Sequence, residues 1–363
     1  MPYFGTAPEA LLQGFAQIPD LEVHVLSCAQ KPMRSAEKLA DNIWFHGLRV
    51  PRIGWMRTLY AGCSRAFRKE LAKIKPDIVH GQGTERDCAI GAVRSGYTNV
   101  LTIHGNMGLI ARVTRARPLS FPWLAAQLER LTIARANGIV CITHYTQQVV
   151  SKSARRTWVV PNAVDSRFFD IQRDDIRGAV PEILCVGLIC PLKNQNNFIR
   201  ALDPLAAQHK FRVVFLGHTL RGRAYDNEFL SLVRERPWCS YGGFADRETL
   251  RDHMKKAALL TLPSLEDNCP MVVLEAMASG VPVAVAKVGG LPDLVEHGVT
   301  GYFCDPQDAA SMRNAIEEAL RDPRATGENA ARARRRSRER FHPHVVAQQH
   351  LRIYREVVQE RGS

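Results

Sequence analysis

Residues 260–286 read LTLPSLEDNCPMVVLEAMASGVPVAVA. Two apolar runs, LTLP and VPVAVA, bracket a polar loop and a short helical stretch. The segment therefore reads as strand, acidic loop, helix and second strand of a parallel sheet. Pro270 suits the first helical turn, where its missing N–H costs nothing, Asn268 is placed to cap, and Gly280 takes the left-handed position after the last turn. The backbone amides of Cys269, Met271 and Val272 are then expected as donors at the positive end of a helix, a place for phosphate or sugar oxygens. Asp267 precedes the helix and Glu275 lies eight residues on, inside it. Carboxylates so placed fit a two-point contact to sugar hydroxyls. Local physics equally allows Glu266 and Asp267 to be first-turn acids favoured by the helix dipole.

The same alternation extends through the chain. Strand-like stretches are LEVHVLS from Leu21, DIVH ending at His80, NVLTIH ending at His104, GIVCIT ending at Thr143 and TWVVPN ending at Asn162. Further on come EILCVG ending at Gly187, RVVFLG ending at Gly217, LLTLPS ending at Ser264 and VPVAVA ending at Ala286. Helical periodicity fills residues 57–73, 122–136, 197–208, 246–258 and 309–321. This is the pattern of parallel sheets covered on both faces, and such sheets bind ligands at the carboxyl ends of their strands. The polar residues at those ends are the candidates: His80, His104, Gly187, Gly217, Ser264 with its acidic loop, and the Gly289-Gly290 turn.

A chain of 363 residues exceeds what one core usually supports, so the expected fold is α/β with two Rossmann-like, doubly wound domains facing a central cleft. Their expected limits are 1–168, with a C-terminal helix over 345–363 packing back on it, and 176–340. A composition 45% apolar and 23% charged excludes disorder and fibrous classes. No apolar run reaches membrane-spanning length, and the opening MPYFGTAPEALLQGF lacks a signal peptide's basic start, so a cytoplasmic protein is expected. The nine cysteines carry neither Cys-x-x-Cys nor zinc spacing and read as reduced structural thiols. Part of the +13 net charge is the run ARARRRSRER over 331–340, with six arginines, which reads as a solvated helix face. Arg112, Arg115 and Arg117 stand beside Leu119, Phe121 and Trp123. That mixture fits either an anionic membrane surface or a helix lead-in with Trp123 in the core. No nucleic-acid-binding motif is present, so no nucleic-acid partner is expected. No strand is followed by Gly-x-Gly-x-x-Gly and no Gly-Lys-Ser/Thr loop occurs, which disfavours a dehydrogenase and a kinase.

The stretch LEDNCPMVVLEAMASGVP resembles the signature of family 4 glycosyltransferases, in which two acids flank a helix start and Ala-Met-Ala precedes Gly-x-Pro. VPNAVDSRFF over 160–169 is similar to that family's interdomain turn, ILCVGLICPLKN over 183–194 to its phosphate loop, and VGGLPDLVEHGVTGYFCDP over 288–306 to its Gly-Gly donor loop. The ending RFHPHVVAQQHLRIYREV resembles the family's final helices. The resemblance implies the GT-B architecture and transfer of a sugar from a nucleotide-diphosphate donor to a glycan or lipid-linked acceptor, with retention of configuration. It implies that Asp267 contacts the donor sugar, Glu275 the ribose hydroxyls, and Lys193 the diphosphate, with Gly187, Gly289 and Gly290 letting backbone approach it. His104 matches the family's N-domain histidine that faces the donor. No Asp-x-Asp pair occurs, and Lys193 with a helix terminus can replace a metal, so no metal or other cofactor is expected.

The sequence departs from that pattern in three places. Leu188 stands where the family carries an arginine, and Lys287 or Arg221 is the candidate replacement. Asp267 stands where glutamate is usual, with Glu266 beside it. Family members open with a strand and a glycine-rich loop, whereas this sequence opens at a loop or first helix. Either its start lies downstream of theirs or the first sheet lacks a strand. These departures keep two alternatives open: a non-catalytic nucleotide- or glycan-binding relative, and a sugar-nucleotide epimerase.

Overall fold

The computed structural model describes residues 5–33, 36–176, 178–220 and 222–362. The chain divides into two compact units, Met1–Ala163 with Pro343–Ser363, and Val164–His342. The division falls before the VDSRFF segment rather than after it. The reason is packing: Val164 donates to the Phe341 carbonyl at 2.9 Å, and Phe168 and Phe169 are fully buried in the second unit.

The first unit runs α1 (Thr6–Phe15), β1 (Val23–Ala29), β2 (Lys38–Ala40), β3 (Ile43–Arg49), α2 (Ala61–Ile74), β4 (Val79–Gln82) and α3 (Asp87–Val93). It continues through β5 (Asn99–Ile103), α4 (Met107–Val113), α5 (Phe121–Arg135), β6 (Gly138–Cys141), α6 (His144–Val150) and β7 (Thr157–Val159). Its strands form two sheets in place of the single one expected, β1-β3-β2 and β4-β5-β6-β7. All pairs are parallel except β2 with β3. Among the described residues no strand precedes α1.

A cavity of about 540 Å³ is lined by both β1 and β4. Each of these strands pairs on one side only. The burial of β1 reflects this: none of its seven residues is fully buried, whereas every residue of β5 and β6 is. Parallel strands normally lie buried on both faces, so β1 and β4 are the weakly held part of this unit. Hydrogen exchange should be fast at alternate amides of β1 and β4 and slow throughout β5 and β6. Equal protection of all four strands would contradict this reading.

The second unit runs β8 (Glu182–Val186), α7 (Gln195–Ala206), β9 (Arg212–Leu216), α8 (Ala224–Arg234), β10 (Cys239–Gly243), α9 (Arg247–Lys256) and β11 (Leu259–Leu262). It ends with α10 (Met271–Ser279), β12 (Val283–Ala286), β13 (Tyr302–Cys304), α11 (Ala309–Arg321) and α12 (Pro323–Phe341). One parallel sheet has the order β10-β9-β8-β11-β12-β13. The chain winds outward from β8 through β10, then restarts at β11 and winds the other way. The switch point therefore lies between β8 and β11, where such sheets place their ligands.

The last helix, α13 (Pro343–Gly362), belongs to the first unit and packs on α1 so closely that a Cβ at Gly14 would meet the Pro343 carbonyl oxygen at 2.1 Å. The arginine run lies on α12, and it is more than a solvated face. Arg334 and Arg338 donate to the Phe169 carbonyl, Arg332 to the Val299 carbonyl, and Arg340 to the Asp293 carbonyl, while Arg336 pairs with Glu296. These arginines tie α12 to loops that expose main-chain oxygens, work that charge counting does not foresee. Among the described residues no helix is long and apolar enough to cross a membrane.

Candidate active site

Both loops at the switch point carry residues singled out by the sequence. Gly187 follows β8 with φ 156°, and Gly217 follows the neighbouring β9 with φ 151°. A Cβ at Gly217 would lie 1.9 Å from the Gly187 carbonyl oxygen, so only glycine lets these strand ends approach. The chain then turns through a short 3-10 segment, Pro191–Lys193, and stops at Asn194 in the left-handed conformation. Buried Asn194 donates to the Pro306 carbonyl at 2.8 Å, which fixes the loop. Lys193 is thereby presented over Gly187, whose added Cβ would lie 3.8 Å from the lysine chain.

Across the switch point the loop after β11 presents Asp267. Lys193 Nζ donates to Asp267 Oδ2, and Ser264 Oγ donates to the same oxygen at 3.3 Å. The third partner is the Gly-Gly turn after β12. Gly290 N–H donates to the Asp267 carbonyl at 3.0 Å, and Gly289 sits at φ 54°, where an added Cβ would meet that carbonyl oxygen at 1.8 Å and a Glu266 carboxylate oxygen at 3.0 Å. Three loops from three strand ends thus converge on one cation, one carboxylate and close-packed backbone.

Helix α10 starts later than the sequence suggested. Its cap position is Pro270, with φ −67° and ψ 116°, rather than Asn268. Pro270 already takes the extended geometry of a cap, leaving Asn268 and Cys269 in the loop before it. The amides of Met271 and Val272 still open the first turn, where no helical carbonyl precedes them. Gly280 ends the helix at φ 73°, as its position implied.

Glu275 is 2% exposed and lies on α10. Burial raises its carboxyl above the ordinary range, and the Arg247 guanidinium bonded to Oε1 opposes that rise. Arg247 also stands 3.6 Å from Asp165, which Arg167 already holds through three side-chain bonds and its own N–H. Burial opposes ionisation of Asp165, but its arginine partners hold its carboxyl below the usual range. Sequence reasoning missed Arg247 and Asp165. The available signal was Arg247 itself: a cation at the first position of α9, against the helix dipole, implies an acid partner elsewhere.

Leu188 is 42% exposed at the family's arginine position. Lys287 is exposed and lines a cavity of about 410 Å³ with Leu265, Val288 and Asp305. Arg221 lies outside the described residues. Along the same rim the imidazole of His218 stacks on Phe244 at 4.4 Å between ring centres, and Phe244 is 64% exposed.

The remaining candidates belong to the first unit. His104 follows β5, its Nε2 bonded to Gln82 Oε1 at 2.9 Å, and burial lowers its pKa. The loop after it is fixed by buried Glu129, which accepts from Thr84 Oγ1 at 2.6 Å and from the amides of Met107 and Gly108. Arg112, Arg115 and Arg117 are exposed, as are Val113, Leu119 and Phe121, while Trp123 is half-buried rather than in the core. Arg115 and Leu119 hold left-handed φ values of 47° and 65°. The sequence also gave no hint that Cys28, Cys63 and Asp87 bring ligand atoms within 4.8 Å of one another.

Near His104 lie half-buried His80 and buried His350, and burial lowers both pKa values, that of His350 to about 4. His80 bonds Tyr354 Oη at 2.6 Å and Thr102 Oγ1 at 2.7 Å. A histidine neutral when folded is protonated in the unfolded chain below about 6.5. Its contribution is therefore complete above that value and is lost as pH falls toward the folded pKa. For His350 the loss approaches roughly 3 kcal/mol at the acid limit. Asp87 and Glu129, whose carboxyls burial raises, push the other way, so a variant isolates the effect. Between pH 7 and 5 the Tm of the first unit should fall less steeply in His350→Gln than in the parent. Identical slopes would remove His350 from the acid response.

With this geometry in view, two family models together match residues 9–340 of the chain. Residues 9–168 match the glycosyltransferase family 4 model, and residues 166–340 match the model for glycosyl transferases group 1. The chain belongs to this glycosyltransferase family. A D-inositol 3-phosphate glycosyltransferase from Jonesia denitrificans is 28% identical over 72% of this chain and 68% of its own length. The sucrose-phosphate synthase structure from Thermosynechococcus elongatus superposes with TM-score 0.79 at 20% identity, covering 98% of this chain and 92% of that one. Anabaena HepE, solved with UDP and glucose, gives TM-score 0.70 at 18% identity over 93% of this chain and 100% of that one. These neighbours share the fold, a GT-B architecture. The chain spans about half the length or less of the curated relatives it matches first.

Proposed function

We propose that this protein transfers a sugar from a UDP- or GDP-sugar to a glycan or lipid-linked acceptor, as a retaining hexosyltransferase of polysaccharide or glycolipid synthesis. The observation that carries the reading is the junction of Lys193, Asp267 and the Gly289-Gly290 turn at the switch point of the second unit. HepE, solved with UDP and glucose, supports the donor class. In this reading Lys193 and the backbone at Gly187, Gly289, Gly290, Met271 and Val272 take the diphosphate. Glu266, Asp267, Asn268 and Cys269 line the sugar, Glu275 takes the ribose diol, and the exposed Phe244 ring on His218 offers a surface for the nucleobase. His104 is the polar group of the first unit assigned to transfer.

Cleaving a sugar–diphosphate bond builds positive charge on the sugar and negative charge on the leaving group. Lys193 and the α10 terminus meet that negative charge with fixed dipoles and a cation, so the proposed reaction needs no metal. Attack by the acceptor on the face the diphosphate leaves retains configuration. The exposed mixture of Arg112, Arg115, Arg117, Leu119 and Phe121, with Leu119 77% exposed, supports peripheral contact with an anionic membrane surface from the cytoplasmic side.

A second reading, a non-catalytic nucleotide-binding relative, is favoured by Leu188 alone. Calorimetric titration in EDTA against UDP, GDP, ADP and their sugar conjugates tests the donor site. Micromolar binding of one nucleotide supports it, and no binding to any overturns it. Turnover of that donor with acceptor excludes the second reading. Product from donor alone marks an epimerase, and NMR of the new anomeric proton tests retention.

A further inference from the structure

We propose that Arg247 is the positioning residue for Glu275, holding one carboxylate oxygen so that the other is presented to the ribose diol of the donor. The inference rests on the functional reading above. Glu275 is rigidly placed on α10, yet a buried carboxylate without a cation would protonate or turn away. Arg247 bonds to Oε1, and its guanidinium lies over the fully buried Phe168 ring at 4.8 Å. Asp165 also faces it at 3.6 Å, but Arg167 already bonds that carboxylate at 2.6 Å to Oδ2 and 3.0 Å to Oδ1. The hydrogen bond of Arg247 therefore goes to Glu275, while the Phe168 ring and the longer contact to Asp165 help to fix the guanidinium. Its side chain is 26% exposed, so it reaches the rim that the donor would enter. A planar guanidinium fixes the carboxylate plane in a way a lysine ammonium does not.

The test compares Arg247→Gln and Arg247→Lys with the parent, titrating whichever of UDP and GDP the parent binds and then its 2′-deoxy counterpart. Loss of the fixed charged hydrogen bond should weaken ribonucleotide binding roughly ten- to hundred-fold in Arg247→Gln, with a smaller loss in Arg247→Lys. The loss should shrink markedly for the 2′-deoxy ligand, because the variant and the missing hydroxyl then report the same contact. The kcat should change less than KM. If Arg247→Gln fails to fold, Arg247→Lys retains the charge and carries the same comparison. Equal losses for both ligands make Arg247 a structural residue and overturn the inference alone. No binding of either nucleotide by the parent overturns the functional reading and this inference with it.

Discussion

Lys193→Ala is expected to weaken nucleoside diphosphate binding about ten- to hundred-fold and to lower turnover by roughly 10²–10³, the cost of removing one preorganised donor from a developing anion. The reason lies in the geometry of its loop. The lysine is the last residue of a 3-10 turn locked by Asn194, so its position is set before any donor arrives. In the unliganded protein its charge is matched by Asp267, with side chains 22% and 13% exposed. On the proposed function, a diphosphate entering this junction would take up part of the lysine's hydrogen bonding and release Asp267 toward the sugar. Leu188 supplies no charge at the family's arginine position, so the lysine carries a larger share than it would beside an arginine. Calorimetry of the variant, with circular dichroism to confirm the fold, checks the expectation. An unchanged affinity would place the diphosphate elsewhere on the rim.

The contacts that build the junction differ in how legible they were. Lys193, Asp267, Gly289 and Gly290 are marked locally, because a glycine turn after an apolar strand and a proline at a helix start each leave a short signature. That the three loops meet is a property of strand order, which puts β8 beside β11 although α7 to α9 separate them in sequence. Arg247 with Glu275, and Arg167 with Asp165, are held by folding and carry no joint spacing. Asn268 was misread because two cap-compatible residues lie close together, and the proline, already fixed in φ, won.

Larger features followed the same rule. Strands β5, β6, β8, β9, β11 and β12 are continuous apolar runs and were read directly. Strand β10, CSYGG, carries two glycines, and β13 spans only three residues, so neither gave a pattern. The separation of β1 from β4 was invisible as well, since each strand looks ordinary and only their pairing is unusual. The arginine run illustrates the converse error, where charge density suggested a solvated face while the guanidinium groups served as donors to carbonyls.

Gly289→Ala is the second substitution expected to be severe, and it probes the junction through backbone alone. At φ 54° an alanine incurs left-handed strain of about 1 kcal/mol. That strain is the smaller effect. The new methyl would stand 1.8 Å from the Asp267 carbonyl oxygen and 2.9 Å from its carbon, so the turn and the acidic loop must separate. Separation breaks the 3.0 Å bond from Gly290 and moves Asp267 away from Lys193. A displacement near 1 Å at such a site is worth about 10² in rate, so turnover should fall at least that far, with donor binding falling alongside. Gly298→Ala is the control: its φ is 72°, and an added Cβ there meets nothing within 4 Å. It shares the strain of roughly 1 kcal/mol without the collision, so it should lower Tm and leave donor affinity unchanged. If both variants bind donor equally well, the Gly-Gly turn does not contribute to the site. If only Gly289→Ala loses binding, the contact between the turn and the acidic loop is what holds the donor site together.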